Sequence, residues 1–265
     1  MCKKLLFVSM LLLTLGLVTP AGAMTITWVS SAFDGNGDGV QDEQGWIDLL
    51  TAEGYTVDYR NGNWETLDAG KLAELGATDL IIVGRCAATA AHASDNTEVT
   101  QWNILKTPIL NLNAWMVRSS RWKWVNSTTI SYETDPQMEI LGTGSPIFQL
   151  DVIDETIGSG QTSFVGALNA GNGEILAKIA GKDVMWIVEW QLGVEFYAGA
   201  GQFAGDRRML FNAGTQEVTG TVKGAYNLTC EGEALFLNAV ANMIPEPATV
   251  ALLGLGGLAL IRRKR

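Results

Sequence analysis

TDLIIVGR, residues 78–85, decides the fold. Leu80, Ile81, Ile82 and Val83 follow one another without a polar residue between them, bounded by Asp79 and Gly84. A strand with one wet face alternates apolar and polar residues, so an unbroken apolar run of this length marks a strand buried on both faces, in a parallel sheet covered by helices. The flanking segments agree. Residues 24–30 and 55–59 read as strands. Between them Asp42 is placed to cap a helix running to about Glu53, with Trp46, Ile47, Leu49 and Leu50 on its apolar side and Gly54 at its end. A second helix is expected over residues 67–75, stopping at Gly76. Downstream, Asp95 with Glu98 three residues on has the spacing of a capping box for a third helix over residues 97–105, and residues 108–116 read as a fourth strand. Strict alternation of strand and helix predicts the α/β class, with a doubly wound, flavodoxin-like, mostly parallel sheet whose carboxyl-end loops form the site.

Beyond Arg121 the pattern loosens. Residues 135–150 contain Gly142, Gly144 and Pro146 and read as a connection with short extended pieces. Residues 152–155, 184–189, 194–197 and 208–211 read as extra strands in the second half, some of them antiparallel. Thr229 is placed to cap a last helix that carries Glu231 and Glu233 in its first turn and Leu235, Phe236, Val240 and Met243 along its length.

The two ends have a different character. Lys3 and Lys4 precede an apolar run over residues 5–18, and Ala21-Gly22-Ala23 supplies the small residues that signal peptidase requires, so residues 1–23 read as a secretory signal. Residues 245–265 read PEPATVALLGLGGLALIRRKR: Pro245, Glu246 and Pro247, an apolar run over residues 248–261, then Arg262, Arg263, Lys264 and Arg265. The prolines disfavour helix before them, so a helix is expected only after Pro247. The apolar run is short against the roughly 20 residues of a full span, but it has no polar face and its basic end suits the cytoplasmic side of the inner membrane. Terminal hydrophobic helices, the second a short transmembrane helix, are therefore expected around a single domain at residues 24–244.

Composition narrows the function classes. The chain has 265 residues, 18 basic and 28 acidic, and a formal net charge of −10. Six of the basic residues and one acidic residue lie in the end segments, which leaves 12 against 27, a net of −15, for residues 24–244. A domain so acidic repels the phosphates of nucleic acid, and no nucleic-acid partner is expected. Cys86 and Cys230 are its two cysteines, and a disulfide or two buried thiols are both open. One histidine and two cysteines are too few for a zinc site, and no P-loop, dinucleotide fingerprint or serine elbow occurs.

The ordered tail closely resembles the bacterial PEP-CTERM sorting tail. That resemblance implies export, transient anchoring in the inner membrane with Pro245, Glu246 and Pro247 as the sorting motif, processing by an exosortase, and release to the cell surface or extracellular matrix. Residues 24–244 resemble the class I glutamine amidotransferase-like superfold, and more narrowly its ThuA-like branch. The resemblance runs through the opening strand, GYTVDY, TDLIIVGR and PILNLNAW, with RRMLFNAG and NLTCEGEALFLNAV as closing strand and final helix. Enzymes of that superfold carry a Cys nucleophile on a Gly-x-Cys-x-Gly elbow, supported by a His and an acid. The elbow falls here on Asn111-Leu112-Asn113-Ala114-Trp115, so Asn113 takes the nucleophile's place and cannot attack a carbonyl. The expectation is a non-catalytic binding or interaction domain. The competing expectation is a secreted hydrolase that uses Cys86, in Gly84-Arg85-Cys86-Ala87-Ala88, with the lone His92.

Two further segments carry chemistry. In DGNGDGVQDEQG, residues 34–45, Asp34, Asn36 and Asp38 with Gly39 match positions 1, 3, 5 and 6 of a calcium loop; Val40 can offer its carbonyl, and Asp42 falls at position 9. Gly45 stands where a bidentate acid belongs, and Glu43 substitutes for it only off the EF-hand path. A calcium loop and a plain polar turn are both open. Trp102, Trp115, Trp122 and Trp124 crowd together with Arg118, Arg121 and Lys123 between them. Trp122 and Trp124 can stack on envelope polysaccharide while Arg118 and Arg121 pair with its acids, or the rings can simply be core.

Overall fold

The computed structural model describes residues 24–31, 34, 37–142, 149–216 and 222–244. The expected signal segment and the sorting tail, with their apolar helices, lie outside these residues. Among the described residues no helix is long and apolar enough to cross a membrane.

The run that opened the reading is β3 (Leu80–Val83), buried throughout. It lies between β1 (Thr25–Ser30) and β4 (Ile109–Asn111), parallel to both. β2 (Thr56–Asn61) adds outside β1, and β11 (Arg208–Phe211) outside β4, again in parallel. The parallel part of the sheet therefore has the order β2-β1-β3-β4-β11. From β11 the sheet continues antiparallel through β10 (Met185–Trp190), β9 (Glu174–Ile179), β6 (Gln137–Ile140) and β7 (Gln149–Asp151). β5 (Ile130–Thr134) pairs with β8 (Gln161–Val165), which meets β10 at Met185. The result is an α/β fold with one mixed sheet of 11 strands.

Four helices accompany these strands among the described residues: α1 (Gln44–Ala52), α2 (Ala69–Leu75), α3 (Asn96–Ile104) and α4 (Cys230–Met243). Side-chain alternation along the strands divides the core in two. Ile26, Trp28, Leu80, Ile82 and Leu110 pack with Trp46 and Leu50 of α1 and Phe236 and Val240 of α4. Val29, Ile81, Val83 and Ile109 pack on the other side with Leu75 of α2 and Val99 and Trp102 of α3. Helices on both faces are why β3 shows no polar position: each of its four side chains enters one core or the other, at on the order of 2 kcal/mol per side chain buried.

The expected caps at Asp95 and Thr229 form, accepting from Glu98 N at 2.8 Å and Gly232 N at 3.1 Å, and Asp68, which the sequence reading did not single out, caps α2 by accepting from Lys71 N at 2.9 Å; each satisfies an otherwise unpaired amide of a helix start. The capping box of α3 is half formed, because Glu98 bonds the amides of Ser94 and Thr66 and does not return to Asp95. Asp42 does not cap α1. The N-cap is Glu43, with no side-chain cap bond, since its carboxyl is turned into the protein.

Residues 152–155 and 194–197 are not strands; they contribute only the isolated bridges Ile153↔Leu228 and Glu195↔Phe203. The fourth strand stops at Asn111, because Asn113 and the residues after it form a loop held by its own hydrogen bonds. Cys86 is a free buried thiol, so it does not pair with Cys230.

Candidate functional site

The parallel strands end together, and the loops that follow β1, β3, β4 and β11 meet above them. Glu43 is the buried centre of this meeting. Trp28 Nε1, from β1, donates to its Oε2 at 2.8 Å, and Cys86 N, just past β3, donates to its Oε1 at 3.0 Å. Ser30 adds a side-chain hydrogen bond. Gly84 makes the approach possible, because a Cβ there would stand 2.1 Å from Glu43 Oε1. Burial raises the carboxyl's pKa above its ordinary 4.5; the bonds from Cys86 N, Trp28 and Ser30 and the charge of Lys223 oppose that rise. The fold thus favours the protonated acid.

Cys86 beside it is poorly suited to attack. Its thiol donates to the carbonyl of Lys223 at 2.7 Å, and burial, then the charge of Glu43, pushes its pKa well above the ordinary 9.0. The nucleophilic species is the thiolate, which this environment disfavours. His92 is also buried, its Nδ1 donates to Ala88 O at 2.9 Å, and desolvation lowers its pKa. Its ring packs 5.9 Å from that of Trp102. No hydrogen bond joins Cys86 to His92 among the described residues, and each is committed to a different backbone carbonyl.

Asn113, on which the expected nucleophile elbow falls, is wholly buried. Its Nδ2 donates to Arg85 O at 3.2 Å and to Ala87 O at 3.0 Å, while its Oδ1 accepts from Trp115 N at 3.0 Å. One side chain therefore ties the loop after β3 to the loop after β4. A cleft of about 160 Å³ opens beside this tie, lined by Arg85, Ala87, Ala88, Thr89, Trp115 and Lys223.

The aromatic segment divides in a way the sequence did not show. Trp122 and Trp124 are fully buried, their indole N–H groups donating to His92 O at 2.7 Å and Asn103 Oδ1 at 2.8 Å. They stack in the core with Trp102 and Phe196, the second of the two alternatives the sequence left open, and neither offers a face to a sugar. Tyr132, which the sequence did not single out for this role, is 47% exposed instead, and its ring centre lies 6.2 Å from that of the half-buried Trp115. Arg118 lays its guanidinium over Trp115 at 4.5 Å and donates from Nε to Trp115 O at 3.0 Å. Arg121 donates from Nε to Thr89 Oγ1 at 3.2 Å.

Of the expected calcium ligands, Asn36 lies outside the described residues. Asp34 accepts from the amides of Gly37, Asp38 and Gly39 at 2.6, 3.1 and 2.8 Å, and Asp38 from Val40 N at 2.7 Å. Gly37 and Gly39 have φ of +77° and +83°, a conformation that glycine adopts without strain. Asp38 and Asp42 border an opening of about 370 Å³ between this loop and residues Val222, Ala225 and Tyr226. Among the described residues no group of three or more His, Cys, Asp or Glu side chains is gathered as a metal site.

Residues 244–265 match the family model described as the PEP-CTERM protein-sorting motif. The chain thus carries a PEP-CTERM sorting motif at its C-terminus, covering the expected Pro245, Glu246 and Pro247. That motif supports an exported protein processed by an exosortase, through a membrane-anchored sorting intermediate that precedes the surface form. No curated protein matches the chain, so the amidotransferase-like resemblance of residues 24–244 rests on its layout alone.

Proposed function

We propose that the protein is an exosortase-sorted component of the cell surface or extracellular matrix whose flavodoxin-like, amidotransferase-like domain binds a partner and does not catalyse. The observation that carries this reading is Asn113. At the position where the resembling enzymes hold their nucleophile, this chain has a buried amide whose donors and acceptor are all engaged by loop backbone. The strand order β2-β1-β3-β4-β11, with helices on both faces, supports the layout. The buried thiol of Cys86, hydrogen-bonded and held protonated, supports the absence of covalent catalysis.

The test pairs two measurements. Purified protein, Cys86→Ser and His92→Gln are offered a panel of amide, ester and glycoside substrates. Turnover by the parent that either substitution abolishes, with the fold intact, overturns the binding reading. Intact-mass measurement of the surface form tests the sorting half: release without Arg262 to Arg265 is expected, and retention of those residues refutes processing.

A further inference from the structure

We propose that the cleft between the loops after β3 and β4 is a binding site for a carboxylate-bearing saccharide, with Arg118 and Arg121 gripping the carboxylate and Trp115 and Tyr132 receiving the sugar ring. The inference rests on the non-catalytic reading above and adds the ligand class.

Charge is the first argument. Residues 24–244 carry 27 acidic residues against 12 basic ones, so cations elsewhere should find carboxylates easily. Among the described residues Arg118, Arg121 and Lys223 have no ion-pair partner; Arg60, Lys178, Lys182 and Arg207 each have one, and Lys71, Lys106, Lys123 and Arg208 instead donate to backbone carbonyls or an asparagine side chain. Partial desolvation, then the repulsion of Arg121, lowers the pKa of Arg118. Lys223 lines the cleft and acts on Glu43, while Arg118 and Arg121 adjoin it through Trp115 and Thr89; two mutually repelling arginines at the edge of a cleft are an arrangement that an anion stabilises.

Geometry is the second. Each arginine is pinned through Nε to the protein, Arg118 to Trp115 O and Arg121 to Thr89 Oγ1, and Trp115 and Thr89 both line the cleft. Pinning the Nε fixes the plane of the guanidinium and leaves terminal amines of Arg118 to meet a planar carboxylate in a bidentate fork. Asn113 holds both loops from beneath, so little ordering is left to occur on binding.

Shape and aromatic surface decide the class of anion. The volume of about 160 Å³ is below the roughly 300–1,000 Å³ of pockets that enclose a whole small molecule, and suits one residue of a longer chain. Trp115 and Tyr132 meet at 42°, forming an apolar corner at its edge. A ring with apolar C–H faces and a single carboxylate satisfies both features. Nucleic acid, with a charge about every 1.7 Å of duplex, would meet the surrounding carboxylates as well as the three cations.

The full chain in mild detergent is titrated with an oligogalacturonate of defined length, its carboxyl-reduced neutral counterpart, and single-stranded DNA. Binding of the oligogalacturonate is expected to be saturable, at least about tenfold tighter than that of either comparison, and weakened by salt. Arg118→Ala and Arg121→Ala should each weaken it about tenfold or more. Arg118→Lys, which keeps the charge and loses the fork, should recover only part of the loss; thermal unfolding of each variant checks that the fold is intact. Equal affinity for the acidic and neutral oligomers, equal or tighter binding of the DNA, or unchanged binding by folded Arg118→Ala overturns the site. The oligomers are sized after incubation. Shortening would sink the non-catalytic reading while leaving the site standing, and absence of binding would sink the site while leaving that reading untouched.

Discussion

Glu43 gives the sharpest test of the structure, because it makes stability depend on pH in a direction opposite to that of an ordinary carboxylate. Its buried carboxyl accepts from Trp28 Nε1 and Cys86 N. Glu43→Ala orphans both donors. An unsatisfied buried donor costs about 1–3 kcal/mol, so the substitution should cost about 2–6 kcal/mol where the parent acid is protonated. For a domain of about 220 residues that is a fall in Tm of roughly 5–20 °C.

The pH dependence follows from the direction of the shift. The folded-state pKa lies above the ordinary 4.5, so the folded protein binds the proton more tightly than the unfolded chain does. Glu43 therefore contributes fully below about pH 4.5, and that contribution is lost as pH rises toward the folded value, by about 1.4 kcal/mol for each unit between the two. Glu43→Gln fills the same volume and cannot ionise. Chemical denaturation of parent and Glu43→Gln across pH 5 to 8 isolates this group, since every other titration is common to both. The Gln variant should gain on the parent as pH rises, while the deficit of Glu43→Ala narrows. A parent-to-Gln difference that stays constant over this range, or a cost below about 1 kcal/mol for Glu43→Ala at pH 5, would refute a buried acid whose pKa the fold raises.

Other consequences are quicker to check. Cys86, whose pKa burial drives upward, should resist a thiol-labelling reagent at pH 8 in folded protein and react once denaturant is added; rapid labelling of the native form would contradict its burial. Asn113→Ala removes three buried hydrogen bonds and should cost about 2–4 kcal/mol in a denaturant titration, against under about 1 kcal/mol if the loops are held otherwise. Gly232→Ala would set a Cβ 2.2 Å from Val152 O, so a loss of at least about 2 kcal/mol is expected, and an unchanged Tm would contradict the packing of α4 on that strand end. The loop around Asp34 is closed by its own amides, so chelation should leave Tm unchanged; a calcium-dependent rise of several degrees would restore the calcium loop.

What the sequence disclosed and what it hid have physical causes. The parallel half was legible because β3 must serve two cores at once, which forbids a polar residue anywhere along it. The antiparallel half was not. β5, β6 and β8 are four or five residues long and mix polar with apolar residues, Thr162 and Ser163 of β8 being polar and buried, and their partners lie far off in sequence, as in Tyr132↔Ser163 and Met138↔Ile179. Their pairing is a property of the assembled sheet and leaves little periodicity in any one segment. The sorting tail was legible because its chemistry is contiguous: breaker, apolar run and basic cluster in order. Trp122 and Trp124 stayed ambiguous because a tryptophan beside an arginine has the same local sequence whether its ring faces core or water.

Glu43 and Asn113 together bear on the proposal that this site binds and does not catalyse. A reactive site keeps at least one nucleophile or base open to substrate, and such groups are held in place by others that are not. Here the carboxyl, the thiol and the amide nearest the strand ends are all turned to neighbouring indole or backbone groups. Each closes a hydrogen bond that a reacting group would have to leave open. Under the proposal, the partly exposed Trp115, Tyr132, Arg118 and Arg121 at the rim would hold a ligand by shape and charge without exchanging a bond with it. Rigidity beneath and recognition above are the physical requirements of a binding surface, and Asn113, by joining the two loops that carry the rim, connects them.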